Sequence, residues 1–161
     1  MESNNTALLV KMIRMSWDAQ NNELTKLINT LNDEQLAKEI APGKNTGVYL
    51  LGHLIAVSDA LFPLFGWGDM LYPDMQEIFV EKPDKAGYSF PPVAELKLRL
   101  NAVNTKLNVH FDTATTEDWL SRHMAVTPED FATQPHRNKL NVILNRTAHL
   151  ANHIGQMLLL K

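Results

Sequence analysis

Residues 138–160 read NKLNVILNRTAHLANHIGQMLLL. No proline interrupts them, and Leu140, Ile143, Leu144, Thr147, Ala151, Ile154 and Leu158 recur at steps of three and four. That period predicts a helix with one apolar side. Asn145, His149, Asn152, His153 and Gln156 fall on the other side, which therefore carries amides and imidazoles rather than lysine and glutamate. Arg146 is the one charge near this stripe and a candidate for holding an anionic group.

Three further stretches are almost free of helix breakers. In residues 93–111, after Pro91-Pro92, the positions Val93, Leu96, Leu100, Val103, Leu107 and Phe111 form a clean amphipathic pattern. Residues 4–31 place Leu8, Met12, Met15, Ala19, Leu27 and Leu31 at helical spacing. Residues 46–64 are nearly all apolar, and Pro63 should kink or end that helix before Gly66 and Gly68. Nothing alternates with period two for long, so no strand is predicted. Four long helices without a sheet predict an all-α four-helix bundle, one domain over residues 1–161.

The connections are long and should carry short helices after Tyr72-Pro73-Asp74, at Thr116-Glu117-Asp118-Trp119 and at Thr127-Pro128-Glu129-Asp130. Long connections often shape a site. Residues 65–79 contain Trp67 and Phe79, and with Tyr72 they could form an apolar rim.

Composition excludes several functions. Fifteen basic residues against eighteen acidic ones leave a net charge of −3, too little basic excess for a dedicated nucleic-acid binder. The absence of cysteine removes disulfides, thiolate zinc sites and cysteine nucleophiles. The opening MESNNTALLVKMIRMSWDAQ lacks the form of a signal peptide, and the apolar run 48–67 is broken by His53, Asp59 and Pro63. A cytoplasmic protein without a membrane span is the expectation.

His149 and His153 are four apart, hence on one helix face, and two imidazoles so placed can chelate a divalent metal. Leu150 follows His149 where a zincin has glutamate, so a zincin site is excluded. His53 sits in the apolar run Tyr49-Leu50-Leu51-Gly52-His53-Leu54-Ile55, where a buried imidazole needs a partner. A metal shared with His149 and His153 would supply one. On spacing alone, a solvated polar face is the simpler reading of the last helix. His110, His123 and His136 read as solvent-exposed rather than catalytic.

Two segments resemble the DinB superfamily of DinB/YfiT-like metalloenzymes: Gly52-His53-Leu54-Ile55, and His149-Leu150-Ala151-Asn152-His153-Ile154-Gly155-Gln156. Helix number, helix order and the long second-to-third connection agree with that family. The resemblance implies a homodimeric four-helix bundle in which His53, His149 and His153 hold one divalent metal, and it reverses the reading from spacing. The family position before Gly-Gln is often basic and is Ile154 here, so no anion or thiol contact carries over at that position.

Three neutral imidazoles suit zinc, nickel or iron and leave open positions for water or substrate. Two mechanisms follow: hydrolysis by metal-bound water, or attack by a metal-bound small thiol. The resemblance implies the second as well, because relatives include thiol-dependent S-transferases. Asn152, Gln156 and Arg146 are candidate helpers around a small-molecule substrate. No general base is evident: the last helix has no carboxylate, Asp59 lies well round its helix from His53, and Asp18 is the remaining candidate. The rival expectation is a non-catalytic binding bundle that uses the apolar loop 65–79.

Overall fold

The computed structural model describes residues 2–161, with side chains from Asn4 onward. Helix α1 spans Glu2–Thr30, and α2 is the single turn Asp33–Leu36. Helix α3 runs Gly47–Asp59, and α4, Leu61–Phe65, continues it past a break at Ala60. Helix α5, Asp74–Gln76, leads into a π-helical turn at Glu77–Glu81. Then come α6, Val93–Thr113, α7, Thr116–Leu120, and α8, Pro128–Thr133. Helix α9, Lys139–Met157, ends in a 3-10 turn at Leu158–Leu160. Among the described residues no strand forms; Glu39–Thr46 and Arg122–Asn138 make only isolated bridges. The long helices α1, α3, α6 and α9 are the expected four, and α5, α7 and α8 are the expected short ones.

The local chemistry matches these boundaries. Thr46, Thr115, Thr127 and Asn138 cap α3, α7, α8 and α9 through their side chains. Helix α2 was not foreseen, although Asn32 and Gln35 form a reciprocal capping box at its start. Pro63 has no N–H to offer the Asp59 carbonyl, so the break falls upstream of the proline, at Ala60, and the helix resumes to Phe65. Gly66, at φ 73°, ends it in the left-handed region.

Helix α3 is the axis of the core. Leu50, Leu51, Leu54, Ile55 and Ala56 are all buried, as an evenly apolar helix requires. By length and composition Gly47–Phe65 could cross a membrane, but most of that segment is buried inside the bundle. Helix α3 packs on α6, α9 and the π-helical turn, and α1 packs on α9. Leu96, Leu100, Val103, Leu107 and Phe111 of α6 are buried as their spacing predicts.

Two apolar stripes are rotated from the expected ones. In α1 the buried residues are Trp17, Leu24, Leu27 and Ile28, whereas Leu8, Met12 and Met15 are 55 %, 57 % and 60 % exposed. Val10 and Ile13, in the same turns as these three, pack against the core, so the inward side of α1 runs through Val10, Ile13, Trp17 and Leu24 and the expected residues lie on the outward side. In α9 the core side contains Ile143, Thr147, Leu150, Ile154 and Met157, while Leu144 and Leu158 are exposed. A core face that includes Leu150 and Met157 brings His149 and His153 to its edge instead of opposite it.

Asp59 is fully buried at the end of α3. Its carboxylate accepts the backbone N–H of Leu71 at 2.9 Å and of Tyr72 at 2.8 Å, and so ties down the connection after α4. Asp59→Ala strands both donors and should lower stability by about 3 kcal/mol. The check is thermal unfolding, with a Tm fall of about 6–12 °C for a chain of this size; Asp59→Asn, which keeps one acceptor, should fall about half as far.

Candidate metal centre

His53 lies on α3 and His149 and His153 lie one turn apart on α9, so the site straddles one seam of the bundle. The Nε2 atoms of His53 and His149 are 3.2 Å apart, and those of His153 and His149 are 3.0 Å apart. The three rings stand steeply to one another, at 67°, 78° and 89°, so they meet edge to edge rather than stacked. All three are half-buried.

The protein determines which nitrogen faces the centre. His53 Nδ1–H donates to the Phe79 carbonyl at 2.8 Å, and His153 Nδ1–H donates to Gln156 Oε1 at 2.7 Å. In neutral rings both Nε2 atoms are then bare lone pairs. His149 has one Nε2–H at most, so only one of the two close N···N contacts can be a hydrogen bond. A cation at the meeting point removes this conflict. Nitrogen ligands about 2.0–2.1 Å from a tetrahedral ion sit roughly 3.3 Å apart, close to the spacing seen here. The group of His53, His149 and His153 can therefore hold a metal ion.

Protons are a poor substitute for that cation. Burial pushes His53 below its ordinary value; the Phe79 carbonyl opposes this, and His153 and Arg146 add smaller downward pushes. His149 is pushed down to about 4, first by burial and then by His153, His53 and Arg146. His149 Nδ1 is buried without a partner, so the protein leaves the tautomer of that ring free to follow its Nε2 ligand.

Several residues that sequence reasoning missed position His53. Gly52 precedes it, and a Cβ there would fall inside the Phe79 ring, so glycine is what lets the π-helical turn lie against α3. The Phe79 carbonyl belongs to the last turn of that segment and is one of its free acceptors. Tyr49, one turn before His53, donates its hydroxyl to the Lys82 carbonyl at 2.7 Å. Gln76 closes the other end by donating to the Ala56 carbonyl at 2.8 Å. The signal in the sequence was Gly52 beside a buried histidine, which marks a close approach without naming what approaches.

The chain matches the family model described as DinB superfamily over residues 16–157. It belongs to the DinB superfamily. A search among curated proteins returns no match. Members of the DinB superfamily are metal-dependent, and the three converging histidines fit that property. Ile154, which precedes Gly155-Gln156, is 8 % exposed and packed into the core.

The remaining candidates are dispersed. Gln156 orients His153, as described. Arg146 and Asn145 line a cleft of about 370 Å³ with Leu64, Val142 and His149. Asn152 is exposed on α9. Asp18 faces a different, larger groove of about 470 Å³ between α1 and α6, where it pairs with Arg14 at 3.0 Å. It is therefore not beside the histidines, because α1 presents that face to α6 rather than to the α3–α9 seam. His110 is half-buried and stacked on Trp67, with ring centroids 4.9 Å apart, and His123 is half-buried as well, against the expectation of exposure. His136 is exposed as expected.

The apolar loop 65–79 is not an open platform. Phe65, Met75 and Phe79 are buried in the core, and Trp67 packs edge-on against Phe65 and Trp119. Much of the segment's apolar surface is thus used by the fold, and Leu71 is the large apolar side chain it leaves exposed.

Two measurements probe this geometry. Gln156→Leu removes the acceptor that orients His153 and should weaken zinc binding about 10–100-fold, as read by chelator competition, with the fold intact by circular dichroism. In chelator-treated protein, the stability tied to a neutral His149 is fully present above pH 6.5 and is lost as pH falls to about 4, because the unfolded chain takes up the proton first. Thermal unfolding across that window should show a falling Tm, and His149→Ala should flatten the fall.

Proposed function

We propose that this protein is a metal-dependent enzyme in which His53, His149 and His153 hold one divalent ion, zinc, nickel or iron, through their Nε2 atoms. The supporting observation is the convergence of three Nε2 atoms, two of them aimed by hydrogen bonds at the opposite ring nitrogen. A divalent ion held by neutral imidazoles supplies a Lewis acid that makes water or a thiol nucleophilic near neutral pH.

The chain's own residues shape the rest of the reaction. Leu64 and Val142 give the cleft beside His149 an apolar wall, and Asn145 and Arg146 give it polar contacts. Among the described residues no carboxylate lines that cleft, so none is placed there as a general base. This favours a nucleophile that needs little help to ionise. A small thiol, with an unperturbed pKa near 8.5, meets that condition better than water does. The leading reaction is therefore thiol-dependent S-transfer to a small electrophile in the cytoplasm, with hydrolysis as the second reading from the same centre.

Purified protein should contain about one divalent ion per chain, and a His149→Ala, His153→Ala double variant should contain none. Zinc at 100 times its Kd should stabilise the stripped wild type by about 2.7 kcal/mol and leave the double variant unchanged. Wild type that takes up neither zinc, nickel nor iron overturns the reading. Loaded protein assayed on a chloro-dinitroarene with and without a low-molecular-weight thiol, and on an activated ester, separates the two reactions.

The proposed enzyme is a homodimer. Leu8, Leu9, Met12 and Met15 expose apolar side chains on α1, which supports association through that helix. Sedimentation should give a dimer mass for the wild type and a monomer for Leu8→Glu, Met12→Glu.

A further inference from the structure

The chain has five arginines, and four of them are engaged. Arg14 pairs with Asp18 and Asp112, and Arg99 pairs with Glu95 and Asp74. Arg122 donates to the Val126 carbonyl at 2.9 Å, and Arg137 lies 4.0 Å from Asp130. Arg146 differs. Among the described residues it makes no ion pair, no hydrogen bond and no cation–π contact, yet it is half-buried on the wall of the cleft beside His149. Burial pushes its guanidinium down from the ordinary value, and no carboxylate offsets that push. It nevertheless stays charged, since an arginine does not lose its proton in a protein.

A half-buried cation without a partner is costly unless something completes it. The cleft makes the imbalance larger. Its lining holds Leu64, Val142, Asn145, Arg146 and His149, with no acidic group among the described residues. Asp59, on the neighbouring helix, is already committed to two backbone donors. Three neutral imidazoles would also leave the full charge of a divalent ion on the same seam. The cleft thus concentrates positive charge in a protein whose net charge is −3.

We propose that Arg146 docks the carboxylate of a small anionic substrate whose apolar body lies along Leu64 and Val142. This rests on the reading of the three histidines as the reacting centre. Arg146 stands three residues before His149, so their Cβ atoms are about 5–6 Å apart, and a carboxylate on the guanidinium leaves the neighbouring atoms of the same small molecule within reach of the Nε2 cluster. A planar guanidinium takes a carboxylate through two parallel N–H···O bonds. One arginine in mid-helix, with one amide beside it, matches a single negative charge. A phosphate dianion would call for further donors, such as a helix N-terminus or a second cation, and the cleft lining has neither.

Butyrate and its neutral isostere butyramide are suitable probes, with acetate as the version lacking an apolar body. Binding is followed by NMR, through the Arg146 side-chain Nε–H and the backbone amides of 142–149, in zinc-loaded and in chelator-treated protein. Butyrate should shift these signals and bind at least tenfold tighter than butyramide in both forms, and also tighter than acetate. Arg146→Gln should abolish the preference for carboxylate over amide, and Arg146→Lys should keep part of it. The wild-type comparison of the two probes needs no variant, so it stands even if Arg146→Gln folds poorly. Equal binding of butyrate and butyramide overturns the proposal, as does a preference that survives in Arg146→Gln, which would place the carboxylate elsewhere. A chain that takes up no zinc but keeps the preference when stripped removes the metal-enzyme reading and leaves the anion site standing. Zinc uptake with no carboxylate preference does the reverse.

Discussion

Helix α3 is buried on nearly every side, and its large polar side chains Tyr49, His53 and Asp59 take their partners from other segments. Three of these matches organise the molecule. Asp59 gathers the N–H groups of Leu71 and Tyr72, Tyr49 reaches the Lys82 carbonyl, and His53 reaches the Phe79 carbonyl. Together they draw the long connection from Gly66 to Pro92 onto α3. Gly52 makes the contact possible by having no side chain where the Phe79 ring lies. The connection is thus part of the core, and it is also what aims one of the three converging histidines.

The same constraint gives the site its electrical character. The Phe79 carbonyl and Gln156 each use up the outer nitrogen of an imidazole, so the inner nitrogens present lone pairs to one another. Without a cation, a single His149 Nε2–H can satisfy only one of its two neighbours, whereas a cation would be able to take all three lone pairs. The cleft next to it adds a guanidinium and, among the described residues, no acid, so the proposed cation at the centre and the proposed anion at the mouth would complement each other. Under the proposed reading, opposite charges in a small substrate and its site would act at short range in a partly dry setting, where they are worth more than on an open surface.

Much of the fold could be read from the chain. The four long helices follow from breaker-free apolar periodicity, and the α6 stripe is buried from Leu96 to Phe111 with Val93 half-buried at its start. Two faces were misjudged for one reason: periodicity identifies a side of a helix but not which neighbour meets it. Leu8, Met12 and Met15 have the right spacing, yet the side of α1 that meets the core runs through Val10, Ile13 and Trp17 and leaves them outside. Leu144 and Leu158 have the right spacing too, but the core lies toward Leu150 and Met157. The histidine group was legible through its resemblance to a known family, not through spacing, since a His-x-x-x-His pair suits a wet surface equally well.

By itself, the sequence determined the all-α architecture and the pairing of His149 with His153 on one face, because these depend on contacts within a few residues and on the period of the helix. Only the tertiary structure decided that His53 meets them, that Phe79 and Gln156 choose the nitrogen each ring presents, that Asp18 faces a different groove and that Arg146 is left without a carboxylate. Each of those is a contact between groups far apart in the chain, or the lack of one. Such contacts are set by how whole helices rotate and pack against one another, which no local pattern of residues records.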